Sequence, residues 1–123
     1  MNYRNGGIQI AKRLKPELEK LTGDECVSRW IFSEAHESQE FHLTIAATDL
    51  ADIARSDYVI LAPLSGTSRG VHVEMGLAIA LDKPCYLFRP EAYEGVGFDV
   101  LCLPWKLEWR EALDKILSGE AGD

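Results

Sequence analysis

Basic residues are scarce in this chain: 13 Lys and Arg stand against 20 Asp and Glu among 123 residues, a net charge of −7. A protein that grips nucleic acid polymers needs a basic face against the phosphates, so that class of partner is excluded. One isolated phosphate remains within reach, because unpartnered N–H groups at a helix start hold an anion locally. Long apolar runs are missing as well. The best of them, residues 58–63 (YVILAP), falls far short of the ~20 residues that cross a bilayer. Met1 leads into Asn-Tyr-Arg-Asn-Gly-Gly, which has no apolar core of a secretory signal, so a cytoplasmic protein away from membranes is expected. The cysteines (Cys26, Cys85, Cys102) sit in apolar segments without metal-ligand spacing, and His36 and His42 have no partner at such a spacing. We therefore expect no metal and no cofactor, and buried, reduced thiols. No repeat, linker or low-complexity run divides the chain, so residues 1–123 are expected to form a single domain.

What is present is an alternation. Ile10, Leu14, Leu18 and Leu21 recur at helical spacing and meet a stop at Thr22-Gly23-Asp24. Pro16 inside that pattern predicts a kink or a late helix start. Residues 25–32 (ECVSRWIF) are rich in β-branched and aromatic types and predict a strand. A polar stretch leads into a second helix, with Leu43, Ala47, Leu50 and Ala54 expected on its packed face. Residues 58–63 form a continuous apolar run, the mark of a strand buried on both faces of a parallel sheet. A loop over 64–69 precedes a helix over 70–81, which Asp82-Lys83-Pro84 ends. Residues 85–88 and 100–103 predict two more strands, separated by a loop through Gly95 and Gly97, and residues 107–117 a closing helix. Strands alternating with helices across short loops imply an α/β fold, a doubly wound, flavodoxin-like parallel sheet.

In such sheets the ligand lies at the carboxyl ends of the strands, beside helix N-termini, which directs attention to residues 64–74. There Ser65-Gly-Thr-Ser-Arg-Gly-Val-His-Val-Glu74 leaves a buried strand and enters a helix. Gly66 and Gly70 let backbone approach a ligand closely, and Ser68 supplies a hydroxyl. Glu74 stands about one turn inside the helix, and helical side chains lean back toward the N-terminus, so its carboxylate falls near the same loop. A plain helix start suits the pattern equally, with Ser68 as cap and Glu74 complementing the dipole. Arg89 follows a strand at its carboxyl end and is a secondary anion contact. His72 reads as a solvated histidine, and Trp30, Trp105 and Trp109 as core.

The stretch 49–90, DLADIARSDYVILAPLSGTSRGVHVEMGLAIALDKPCYLFRP, resembles the core signature of the nucleoside 2-deoxyribosyltransferase superfamily. Within it the similarity is greatest to the 2'-deoxynucleoside 5'-phosphate N-hydrolases, through Asp49-Leu50, Ser56-Asp57, the run Ser68 to Gly76 and Leu87-Phe-Arg-Pro90. The resemblance covers about two-thirds of the chain, and the Ser68-to-Glu74 spacing is its most specific part. It implies that Glu74 attacks C1' of the sugar, that Asp49 assists departure of the base, and that Ser68 holds the 5'-phosphate. The chemistry suits these residue types: glycosidic cleavage passes through an oxocarbenium-like state, which a carboxylate traps while an acidic group helps the base leave. The helix N-terminus is expected to keep Glu74 ionised. Asp49 lies eight residues before Asp57, so it stands roughly 12 Å up its helix and reaches part way to the carboxyl edge of the strand.

The resemblance also exposes a departure. Relatives open with a buried strand that feeds a Gly-rich phosphate loop; here Met1-Asn-Tyr-Arg-Asn-Gly-Gly resembles that loop with the first strand missing or truncated. Arg4, Gly6 and Gly7 remain to cradle phosphate. Loss of a central strand would leave two unpaired edges, which favours a start codon placed too late over a member that works without the strand. The expected function is cleavage of the N-glycosidic bond of a nucleoside 5'-monophosphate. A deoxyribosyltransferase and a nucleotide-binding protein without turnover are the alternatives. The expected partners are a small nucleotide or nucleoside and, from the family and the three tryptophans, further copies of the same chain.

Overall fold

A computed structural model of the chain describes residues 7–28, 39–63, 69–89 and 97–119. Its elements run α1 (Gly7–Thr22), α2 (Gln39–Arg55), β1 (Val59–Leu61), α3 (Arg69–Ala80), β2 (Cys85–Leu87), a 3-10 helix (Gly97–Leu101), β3 (Leu103–Pro104) and α4 (Leu107–Ser118). Among the described residues the strands form one parallel sheet in the order β1-β2-β3, with Val59 opposite Cys85 and Tyr86 opposite Leu103. Helices cover both faces, as the doubly wound reading requires.

Each face has its own core. On one, Ile53 of α2 and Val71, Met75 and Ala78 of α3 pack over Val59, Leu61, Cys85 and Leu87. On the other, Leu14 of α1 and Trp109, Leu113 and Ile116 of α4 pack with Ala62 and Trp105, and Ile60, Tyr86 and Phe88 lean against them. Successive strand residues point to opposite faces, so β1 divides its short apolar run between the two cores. Trp105 spans the layers: its Nε1 donates to Leu61 O at 3.0 Å. Cys85 and Cys102 are buried free thiols with sulfurs 3.8 Å apart, and burial first, then the neighbouring Cys102, pushes the Cys85 thiol up to about 12.

Several boundaries differ from the sequence expectation, each for a physical reason. α1 starts at Gly7, well before Pro16, and runs through it. The missing proline N–H costs one helical hydrogen bond, and the amphipathic packing of α1 on α4 outweighs that loss. The stop is as expected: Gly23 takes φ +75 and donates to Glu19 O at 2.9 Å. Residues 25–28 form no ladder, and the rest of the expected strand 25–32 lies outside the described residues. Their hydrogen bonds go to side chains instead: Cys26 N donates to Glu19 Oε2 at 2.9 Å, and Val27 O accepts from Arg55 Nη2 at 3.3 Å. The strand expected over 100–103 is mostly the 3-10 helix, opened by Gly97 at φ +57, and only Leu103–Pro104 joins the sheet.

The largest correction concerns α2. Its expected packed face is turned outward: Leu43 is 65% and Leu50 37% exposed, and Ala47 and Ala54 are exposed too. The buried side carries Asp52 and Ile53, with Asp49 half-buried beside them. Hydropathy alone chose the wrong stripe because two acids sit on the inner one.

Candidate active site

α2 and α3 lie side by side on one face of the sheet, and each turns one carboxylate toward the other. Asp49 comes from the middle of α2. Glu74 comes from the second turn of α3, which enters its helix just after the carboxyl end of β1. The two carboxyl groups are joined by a hydrogen bond. They line a cavity of about 340 Å³. Its lining includes Ala11 and Leu14 of α1, Ile53 of α2, Val71 of α3, the residues of β1 and residues 24–28. The volume is in the range of pockets that hold small molecules.

Two acids sharing a hydrogen bond in such a place cannot both be charged. Burial, then the charge of Asp49, pushes the Glu74 carboxyl up to about 8. Burial raises Asp49 as well, while its hydrogen bond with Glu74 opposes that rise. The pair therefore holds one proton at neutral pH, shared across that hydrogen bond. This corrects the expectation that the helix N-terminus keeps Glu74 ionised. The dipole acts through partial charges at the helix end; loss of water and a full negative charge in contact are larger. The chemistry available to the pair is proton exchange between a potential nucleophile and a potential acid across one hydrogen bond.

The other expected residues are placed as follows. Gly7 opens α1, and Gly70 sits exposed in the first turn of α3. Arg4, Gly6 and Ser68 lie outside the described residues. Arg89 is not part of the cavity wall. Its Nη2 donates to the carbonyl oxygens of Asp99 and Cys102, which fastens β2 to the 3-10 helix and β3. His72 is exposed, and its Nε2 lies 3.2 Å from Asp99 Oδ1, on the side of α3 away from Glu74.

Sequence reasoning passed over Asp52. It is only 2% exposed, lines the same cavity and is paired with Arg55 Nε at 3.1 Å. The signal was the spacing: Asp49 and Asp52 stand i, i+3 on a helix and share a face.

The model of the nucleoside 2-deoxyribosyltransferase family matches residues 8–107, most of the chain and all of the carboxylate pair's surroundings. The chain belongs to the nucleoside 2-deoxyribosyltransferase family. No curated protein and no solved structure matches it significantly. Membership gives the coarse activity, an enzyme of glycosyl transfer acting on nucleosides. Among the described residues no helix is long and apolar enough to cross a membrane.

Proposed function

We propose that this chain cleaves the N-glycosidic bond of a deoxynucleoside 5'-monophosphate and releases the free base, with Glu74 as nucleophile and Asp49 as acid. The observation that carries the reading is the hydrogen-bonded Asp49–Glu74 pair, one proton between two carboxylates, in the wall of a cavity of nucleoside size. A double displacement at C1' needs one ionised and one protonated carboxyl at the start. The pair meets that need when its one proton sits on Asp49. Glu74 then bonds to C1', the C1'–N bond breaks with its electron pair going to the base, and the proton on Asp49 goes to the departing nitrogen. Water next attacks C1' of the glycosyl ester, giving its proton to Asp49 and freeing Glu74.

A second base in place of water would complete a transfer, the activity in the family's name. Hydrolysis is favoured by the phosphate-binding assignments, Ser68 with Arg4, Gly6, Gly7 and Gly70, since a bare nucleoside has no phosphate to hold; Arg89, engaged with the carbonyls of Asp99 and Cys102, drops out of that set. The starts of α1 and α3, Gly7 and Gly70, supply N–H groups suited to an anion. Incubation with deoxynucleoside monophosphates and the matching nucleosides, with and without an acceptor base, tests the reading. Free base from the monophosphates supports it, exchanged nucleoside moves the reading to transfer, and binding without turnover removes catalysis from it.

The outward apolar stripe of α2, Leu43, Ala47, Leu50 and Ala54, supports a homodimer or higher homo-oligomer. Light scattering that gives a monomer at micromolar concentration counts against it.

A further inference from the structure

Asp52 is a buried charge that the mechanism above does not use. Water has almost no access to it, and a buried carboxylate persists only with compensation. Arg55 supplies that, with Nε 3.1 Å from Asp52 Oδ1, and the same guanidinium reaches across the cavity mouth to Val27 O. Arg55 is itself half-exposed. Asp52 stands one helical turn from Asp49, on the same side of α2 and in the same cavity wall.

We propose that Asp52 is a positioning residue for the reaction: held by Arg55, it presents a fixed negative charge to Asp49 and makes Asp49 the proton holder while Glu74 attacks. The inference rests on the reading of Glu74 as nucleophile and Asp49 as acid. An ordinary aspartate is a poor general acid at neutral pH, because it has already lost its proton. When Glu74 is ionised for attack, Asp49 has a negative charge on either side, Glu74 and Asp52, and holds the pair's proton. When Glu74 becomes a neutral ester, one of those charges disappears and Asp49 turns into a stronger acid as the base departs. Asp52 keeps the proton in place until then, and Arg55 sets how strongly. Burial is the main reason that Asp49 is raised, and the charge of Asp52 adds to it.

Among the described residues, other charged groups also line the cavity. Lys15 and Glu19 of α1 pair with each other at 3.0 Å, and Tyr58 donates to Asp24 at 2.7 Å; Glu25 and Asp57 complete the set. A helix-stabilising ion pair, i to i+3, is the alternative role for Asp52 and Arg55.

Two substitutions separate the roles because they act in opposite directions. Asp52→Asn removes the charge and keeps an oxygen to accept from Arg55. Arg55→Gln leaves Asp52 charged and less compensated. The titration of the Asp49–Glu74 pair is followed by carbon NMR of the carboxyl groups in the full chain without substrate, and the pH profile of base release is measured beside it. Asp52→Asn should move the pair's alkaline transition down by about one pH unit and Arg55→Gln should move it up. The alkaline limb of kcat should follow. A pair titration that neither substitution moves, or that both move the same way, overturns the proposal, whatever happens to the melting temperature. Absence of base release in the unsubstituted chain would refute the hydrolase reading and end the catalytic role, while the NMR titration still reports whether Asp52 sets the proton affinity of the pair.

Discussion

The two ends of the sheet are built on different terms. Beside β2 one face is filled by rings: Tyr86, Trp109, Trp105 and Phe88 form a chain of edge-to-face contacts with centroids 4.9 to 6.2 Å apart. Lys106 and Arg110 lie over Trp109 and Phe88. The β1 end is open. Val59 N donates to Pro84 O and Phe88 N to Leu61 O, so the alternation of a parallel ladder turns the peptide groups of Ile60 the other way, toward the cavity that it lines. Residues 24–28 line the same cavity without pairing to β1. The ring cluster is the packed part; the β1 side holds the cavity of about 340 Å³ with the raised carboxyl pair in its wall. A domain of this size separates the two because one short sheet cannot be both filled and hollow at the same place.

The comparison breaks most decisively at Glu74. Glu74→Gln should lower base release by roughly a thousandfold or more, about 4 kcal/mol in the barrier, since no bond to C1' can form. Binding of the monophosphate should persist. Near-normal turnover, followed as free base by chromatography, would remove Glu74 from the chemistry. At the filled end the corresponding test is Trp109→Ala. Trp109 is 2% exposed and touches both Tyr86 and Trp105, so its loss should cost about 3–5 kcal/mol of folding stability in denaturant titration.

How much of this division was legible beforehand differs between the two ends. The strands at 58–63 and 85–88, the helices at 70–81 and 107–117 and the Thr22-Gly23-Asp24 stop could be read, because apolar runs and turn residues act locally. Glu74 and Asp49 were found through the family signature, and their contact through the structure; a count of rise per residue brought Asp49 only part way to its partner. The inner face of α2 was misread because a functional cavity had replaced apolar residues with Asp49 and Asp52. Residues 25–28 look like a strand in composition, but a strand needs a neighbour, and they share a cavity with β1 rather than a ladder. The 3-10 turn at Gly97 depends on a backbone with φ +57 and on Asp99, whose carbonyl oxygen accepts from Arg89 and whose carboxylate meets His72; none of these is a periodic signal.

The next effect is of intermediate size and concerns pH. Glu74 is raised from 4.5 to about 8 by burial and Asp49. Across that window the folded chain keeps a proton that the unfolded chain has released, so stability falls as pH rises through it and levels off above it. Glu74→Gln cannot titrate. The variant should lose this slope and at pH 9 exceed the parent by on the order of 2 kcal/mol, the full shift being discounted for water that reaches the cavity. Parallel pH–stability curves for the two proteins would show that the pair is not buried as described.

The smallest effect belongs to the tether between the ends. Tyr58 donates its hydroxyl to Asp24 Oδ2 at 2.7 Å, and burial, then that hydrogen bond, raises the phenol. The same ring meets Tyr86 edge-on at 6.1 Å. One residue thus connects the ring cluster of the filled end to residue 24, where the wall of the cavity begins. Tyr58→Phe keeps the ring and removes only the hydroxyl. Because the hydrogen bond is exposed, water replaces it cheaply, and the loss should be about 0.5–1 kcal/mol. The informative measurement is hydrogen exchange. If residues 24–28 are held by separate tethers rather than by a ladder, Tyr58→Phe should speed exchange of the amides there, Cys26 included, and leave those of β2 unchanged. Equal acceleration in both places would mean that the two ends open as a single cooperative unit, and the division between a filled and an open end would have no energetic content.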